Sequence, residues 1–161
     1  MVDNCLMCDI YENDLEPRIY ENEHFYAIFD VFPVTPGHAL VIPKRHVVSR
    51  FDLTDEEAVS LEDTIRNTVS VIENTNLSDL YSSMLEIERL QKARPYIESA
   101  LESTFINQKP EGYNIGNNEG RVAGRTIDHL HIQVIPRYAG DVAVPTGGIR
   151  NIIPEKGNYR S

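Results

Sequence analysis

The segment Gly124-Arg-Thr-Ile-Asp-His129-Leu-His131-Ile-Gln133-Val-Ile-Pro-Arg137 holds the residues best suited to chemistry. A strand repeats every two residues, so His129, His131 and Gln133 share one face while Leu130, Ile132 and Val134 share the other. The apolar set can face a core, and the polar set is then presented together from a rigid element. An imidazole of ordinary pKa is neutral near pH 7 and attacks phosphorus well. Taking up a nucleotidyl group covalently splits one hard displacement into two easier steps. Two surface histidines with ordinary partners are the alternative for an isolated His-x-His. The Gly-rich turn before it and the Pro-Arg after it weigh against that alternative. Gln133 cannot serve as a general acid, but its amide can donate to a phosphoryl oxygen.

A second candidate lies at the other end of the chain. Cys5-x-x-Cys8 has the spacing of half a structural zinc site. No second CxxC exists, so the remaining ligands are to be sought among the histidines. The alternative is a pair of reduced, partly buried thiols. No thioredoxin-like βαβ pattern follows, which argues against a redox pair.

The chain around these residues bounds what they can do. Its 161 residues suit a single domain able to bury its own core. Hydrophobic residues at 41% and charged ones at 25% place it among soluble globular proteins. Lys and Arg number 15 against 25 Asp and Glu, a formal charge of −10. So acidic a chain is a poor general binder of nucleic acid, where cations supply most of the affinity. No apolar run approaches the ~20 residues of a membrane span. The start, Met1-Val-Asp-Asn-Cys5, lacks the basic and apolar regions of a secretory signal. With two Cys in one CxxC, the expectation is a reducing, cytoplasmic protein without membrane or nucleic-acid partners.

The elements that must position the candidates can be read in outline. Residues 1–30 are rich in acids, among them Asp3, Glu16 and Asp30, and read as a solvated face. Arg18–Glu21 and His24–Asp30 read as two short strands around Asn22-Glu23. Pro33, Pro36 and Gly37 force a loop, and His38–Pro43 is an apolar run of strand length. Thr54-Asp-Glu-Glu57 is a capping-box pattern with Leu53 placed as a staple. Ala58, Leu61, Ile65, Val69 and Ile72 follow at helical spacing, and Asn74-Thr-Asn76 breaks the helix. Leu80, Met84, Ile87 and Leu90 predict a second helix to about Arg94, and Pro95 starts a further short one. Gly112–Gly116 reads as a strand, 117–124 as a turn, 128–135 as the last strand, and the rest as an irregular tail. Strands and helices segregate, which predicts α+β with an antiparallel sheet and two or three helices.

At this point the chain resembles a known family. The His-x-His-x-Gln segment is similar to the signature of the histidine triad (HIT) family of nucleotide hydrolases and transferases. So are Phe29-Asp30 before a Pro-rich loop, Gly37-His38-Ala-Leu-Val-Ile-Pro-Lys-Arg-His46, and Gly112-Tyr-Asn-Ile-Gly-Asn-Asn118 leading into Ala123-Gly124-Arg-Thr126. The resemblance covers roughly 5–71 and 112–140. It implies one HIT-like domain over 1–161, with a core of about 5–140, a helical insertion of about 75–110 and a C-terminal tail over 141–161. Two departures stand out. Gln133 replaces the third His, a variant that resembles galactose-1-phosphate uridylyltransferase and the dinucleoside-tetraphosphate phosphorylases. Arg125 stands where many members have Gln, and an Arg there suits a phosphate chain.

Carried over by position, the resemblance implies His131 as nucleophile on an α-phosphate and His129 as its orienting or structural partner. Asp30 would take the ribose hydroxyls, with a turn-forming Asp as the alternative. Asn118, Gly124 and Thr126 would meet phosphate oxygens, with an ordinary turn Asn as the alternative for Asn118. His38 would line the base or ribose end, or cap a strand. Zinc would be held by Cys5, Cys8, His46 and His129, pinning the N-terminus to the catalytic strand. The implied activity is hydrolysis of a nucleoside monophosphate derivative or a dinucleoside polyphosphate through a nucleotidyl-histidine. Transfer to phosphate or a sugar phosphate is the neighbouring possibility, with Gly140-Asp141 and Gly147–Arg150 as an acceptor site or simply a loop. A nucleotide-binding module with little turnover is the alternative of another class. The resemblance also implies a homodimer.

Overall fold

The computed structural model of the chain describes residues 5–158. Residues 1–4, Asp3 among them, and residues 159–161 of the tail lie outside the described residues. Among the described residues five strands form one sheet: β1 (Tyr20–Glu21), β2 (Phe25–Phe29), β3 (Ala39–Pro43), β4 (Gly112–Gly116) and β5 (Ile132–Arg137). Their order is β1-β2-β3-β5-β4, and every neighbouring pair is antiparallel. The α+β architecture with an antiparallel sheet is as the segregated elements predict. Asn22 makes the β1–β2 turn, its Oδ1 accepting the N–H groups of His24 and Phe25 at 3.0 and 2.9 Å.

The helices are α1 (Leu6–Glu12), α2 (Asp55–Asn74), α3 (Leu77–Leu85), α4 (Arg94–Leu101) and the single turn α5 (Pro154–Gly157). They exceed the two or three expected. Helix α2 begins with the predicted capping box: Thr54 Oγ1 accepts the Glu57 N–H at 3.2 Å and Glu57 Oε2 accepts the Thr54 N–H at 2.8 Å. The helix predicted to run unbroken to about Arg94 is divided. It starts earlier, where Asn76 caps α3, and Ile87 turns extended, so that a 3₁₀ turn over Glu88–Leu90 intervenes before α4. That break lets Leu90 and Ala93 enter the core beside Ile97. Pro95 does sit in the first turn of α4. The tail is not wholly irregular: a 3₁₀ helix covers Gly148–Ile152 ahead of α5.

The two faces of the sheet have different fates. Phe25, Ala27, Phe29, Val41, Ile132 and Val134 meet α2, α3 and α4 in the main core. Tyr26, Ile28, Leu40 and Ile42 face the other way and are covered by Cys5 and Met7 of the N-terminal segment. Every residue of β2 and β3 is therefore buried. The α1 side covers only the β2–β3 half of that second face. A row crosses it from covered to open: Ile28 opposite Leu40, Leu40 opposite Gln133, Gln133 opposite Gly116.

Gly37 is required where the loop enters β3. Its φ is +81°, and a Cβ there would stand 3.0 Å from Ile72 Cγ2. Its N–H donates to the buried Tyr81 hydroxyl at 2.9 Å.

The last strand is displaced from the prediction. It begins at Ile132 and continues through Pro136 to Arg137, so His129, Leu130 and His131 precede it. The reason lies in β3, which ends at Pro43, a residue without an N–H to continue the ladder. The chain beyond it bends away, and Leu130 instead donates to the Val47 carbonyl at 2.7 Å. At the other end the β3 ladder stops at Val134, leaving only β4 beside Pro136.

Candidate active site and metal centre

His129 is 1% exposed and makes two kinds of contact. Its Nε2 lies 2.9 Å from the Pro43 carbonyl oxygen. A carbonyl only accepts, so Nε2 carries the proton and Nδ1 keeps the lone pair. That Nδ1 lies 3.3 Å from Cys5 Sγ and 3.5 Å from Cys8 Sγ. His46 Nδ1 stands 3.5 Å from Cys8 Sγ, and the two imidazoles meet edge to face at 4.9 Å.

The four donor atoms of Cys5, Cys8, His46 and His129 all lie within 4.8 Å of one another. Tetrahedral zinc with sulfur at ~2.3 Å and nitrogen at ~2.05 Å has S···N edges of about 3.5 Å. The observed S···N separations match that edge, and two thiols with two imidazoles suit a borderline-soft ion. Burial, with the neighbouring histidines adding, pushes His129 down to about 4 against the opposing pull of the Pro43 carbonyl, so the ring is neutral. Burial and the adjacent Cys5 push the Cys8 thiol up to about 11. A bound cation is what would make it a thiolate. The Pro43 carbonyl is the outer partner that fixes the His129 tautomer for ligation.

His131 follows the same logic with the opposite nitrogen. Its Nδ1 lies 2.9 Å from the His129 carbonyl oxygen and so carries the proton, leaving the Nε2 lone pair free. His131 is half-buried and lines a cleft of about 250 Å³. Asp30, Thr126 and Gln133 line the same cleft, with Leu6, Met7, Ile10, Ile28 and Leu40 as apolar wall. A second cleft of about 410 Å³ shares Gln133 and is bounded by Asn114, Asn118, Ile135 and the 3₁₀ turn at Gly148–Ile152. Gln133 thus stands in the gap between the α1 side and the C-terminal turn.

The other predicted residues fall into three groups. Asp30 is at the cleft, with Oδ1 accepting the Phe32 N–H at 2.9 Å, so it both makes a turn and lines the site. Asn118 is placed on the second cleft, its Nδ2 donating to the Gly124 carbonyl at 3.3 Å, and Gly124 takes a φ of +96°. His38 does not line the cleft. It is 2% exposed and sits behind Asp30, with Nδ1 3.4 Å from Asp30 Oδ2, and burial lowers its pKa against the pull of that carboxylate. Arg125 does not line either cleft. Its guanidinium lies 3.2 Å from Asp128 and 3.9 Å from Glu119, acids of its own loop.

Sequence reasoning missed the wall that α1 supplies. Leu6, Met7 and Ile10 do lie at helical spacing, but α1 has only 7 residues and no side-chain cap. It also misjudged Glu16, which is 8% exposed and lines the cleft instead of belonging to a solvated face. No signal in the sequence separates Glu16 from the acids around it.

With this geometry in view, the likeness to known proteins is specific. The HIT domain family profile matches residues 14–140. An uncharacterized HIT-like protein of Methanocaldococcus jannaschii is 31% identical over 151 residues, covering 92% of this chain and 91% of its own. The AP-4-A phosphorylase of Mycobacterium tuberculosis is 30% identical over 133 residues, 81% of this chain and 51% of the enzyme. Among solved structures, a HIT family protein from Bacillus subtilis superposes with a TM-score of 0.61 at 30% identity, covering 88% and 81% of the two chains. A Zn-bound histidine triad family protein from Mycobacterium smegmatis gives 0.53 at 30% identity, covering 88% and 80%. By its profile match, its relatives and its antiparallel α+β architecture, the chain belongs to the HIT domain family.

Proposed function

We propose that the chain is a nucleotide hydrolase that attacks an α-phosphate with His131. The observation that carries this reading is the free Nε2 of His131, with its tautomer set by the His129 carbonyl, in a cleft shared with Asp30 and Gln133. The substrate is a nucleoside monophosphate derivative or a dinucleoside polyphosphate. In the first step Nε2 forms a bond to the α-phosphorus, and the bond from phosphorus to the leaving group breaks. The leaving group departs with the bonding electron pair and takes its proton from solvent. In the second step water displaces the imidazole, releasing the nucleoside monophosphate and restoring the Nε2 lone pair. Asp30 accepts from the ribose hydroxyls. Gln133 donates its amide N–H to a phosphoryl oxygen as charge develops there. Thr126, Asn118 and the backbone at Gly124 are further donors on the phosphate path.

Cys5, Cys8, His46 and His129 would hold zinc. A zinc ion there would cross-link the N-terminal segment to the turn that carries His131. The paired thiols need a reducing compartment, which supports a cytoplasmic protein. Among the described residues no helix is long and apolar enough to cross a membrane. The half-buried edge strand β4 supports a homodimer formed at that edge, which light scattering on the purified chain would test.

A second reading keeps the same intermediate and passes the nucleotidyl group to phosphate. The second cleft beyond Gln133 and the 30% identity with the AP-4-A phosphorylase favour it. One experiment separates the readings: incubation with a labelled dinucleoside tetraphosphate, with and without phosphate. Nucleoside monophosphate plus triphosphate means hydrolysis, and nucleoside diphosphate plus triphosphate, formed only when phosphate is present, means phosphorolysis. Binding without either product would make the chain a nucleotide-binding module.

A further inference from the structure

Glu16 is a buried carboxylate that the chemistry above does not use. It follows α1 in the chain, is 8% exposed, and lines the cleft beside Ile10 and Ile28. Arg89, on the 3₁₀ turn of the 75–110 segment, grips it from behind. Nη1 donates to Oε1, and Nη2 donates to Oε2 at 3.2 Å. The bidentate guanidinium engages both carboxylate oxygens, and each retains a second lone pair that can accept.

The row Ile28–Leu40–Gln133 orients the cleft. His131, just before β5, and Gln133 on it mark the phosphate end. Asp30, just past β2, marks the ribose. Helix α1 packs over Tyr26 and Ile28 at the opposite end, and Glu16 lines the cleft beside that apolar wall, where a stacked base would meet it with its edge. Guanine presents N1–H and an N2 amino group side by side, two donors matched to two carboxylate oxygens. Adenine presents one amino group beside the N1 lone pair, which an anion repels. A pyrimidine such as uracil offers one N–H flanked by two carbonyls.

We propose that Glu16, held by Arg89, reads the base edge and makes this a site for guanine nucleotides. The inference rests on the nucleotide-processing reading and gives the 75–110 segment a role in specificity, since it delivers Arg89.

The test is calorimetric binding of GMP, IMP and AMP to the full chain, alongside turnover of the matching dinucleoside tetraphosphates. The wild-type protein is expected to bind GMP about 10-fold more tightly than AMP, with IMP between them. Glu16→Gln keeps the shape but offers one acceptor and one donor, the pattern of the adenine edge, so the preference should collapse or reverse. Arg89→Lys cannot hold both oxygens and should shrink the preference. Equal binding of GMP and AMP, tighter binding of AMP, or an unchanged ratio in a folded Glu16→Gln protein would overturn the assignment. If either variant fails to fold, the wild-type ranking alone still decides. Turnover without base preference sinks only the role of Glu16, whereas no binding of any of the three nucleotides sinks the nucleotide reading with it.

Discussion

The Nδ1 of His131 lies 2.9 Å from the backbone carbonyl oxygen of His129, and that contact leaves Nε2 of His131 with the lone pair at the cleft. The side chain of the same His129 sits in the Cys–His cluster with its own tautomer fixed by Pro43. One residue therefore ties the candidate metal centre to the candidate nucleophile, through its ring on one side and its carbonyl on the other.

His131→Ala should lose roughly 10³-fold or more in kcat while nucleotide binding stays within a few-fold. Brief incubation with a nucleotide labelled at the α-phosphate should trap label on the wild-type chain and none on the variant. Unchanged turnover in the variant would remove His131 from its role.

The Cys–His cluster should carry about one zinc per chain, measured by elemental analysis of protein purified without added metal. Cys5→Ser/Cys8→Ser should lose the ion. It should also melt at a lower temperature, because α1 is then held by packing of Met7, Ile10 and Tyr11 and by the Tyr26 hydroxyl bond to the Met7 carbonyl, at 2.8 Å, without the metal cross-link. Full metal retention in the double variant would refute the ligand set.

Gln133→Ala should fall about 5- to 150-fold in rate, the loss of one hydrogen bond of ~1–3 kcal/mol in the transition state. It should stay well short of the defect of His131→Ala. Gln133 is neutral at every accessible pH and cannot contribute a limb to the pH–rate profile. Gln133→His should help substrates whose leaving group needs a proton. If Gln133 preserves the intermediate for a second substrate, its removal should raise the ratio of hydrolysis to transfer. A variant as inactive as His131→Ala would disprove the assigned role.

Glu57 links pH to stability. Its hydrogen bonds from Arg45, with the Thr54 backbone adding and burial opposing, hold its carboxyl down to about 2. The folded value lies below the unfolded one, so the stabilisation is full above the ordinary carboxylate range and fades as pH falls toward about 2. Glu57→Gln should cost roughly 1–3 kcal/mol near neutral pH, the figure being held down because Arg45 is half exposed. Denaturant titrations of both proteins should converge as pH drops below about 4. A gap that stays constant across that range would mean that the capping role, and not the charge pair, carries the effect.

Much was legible in the chain itself because it is written in local patterns. The capping box at Thr54–Glu57, the helical spacing from Ala58 to Ile72, the apolar run before Pro43 and the alternation around His131 each depend on near neighbours. Those patterns suffice for an antiparallel α+β fold, for a His-x-His-x-Gln presented to one face, and for a CxxC in search of two more ligands. They also determine chemical type: imidazole for attack, amide without acid function, thiols for a soft ion.

Tertiary structure decided everything that depends on residues far apart in the chain. Cys5 and His129 are 124 positions apart, and only the sheet brings their donor atoms to 3.3 Å. Periodicity alone extended the last strand back to 128, because nothing local announces that β3 runs out at Pro43. His38 and Arg125 look like ligand-binding residues by type, yet one lies buried behind Asp30 and the other is claimed by Asp128. Glu16 looks like one acid among many until Arg89, 73 positions on, pins it in the wall of the cleft. A side chain's chemistry is set by its atoms, but its protonation, partners and exposure are set by whatever the fold places against it.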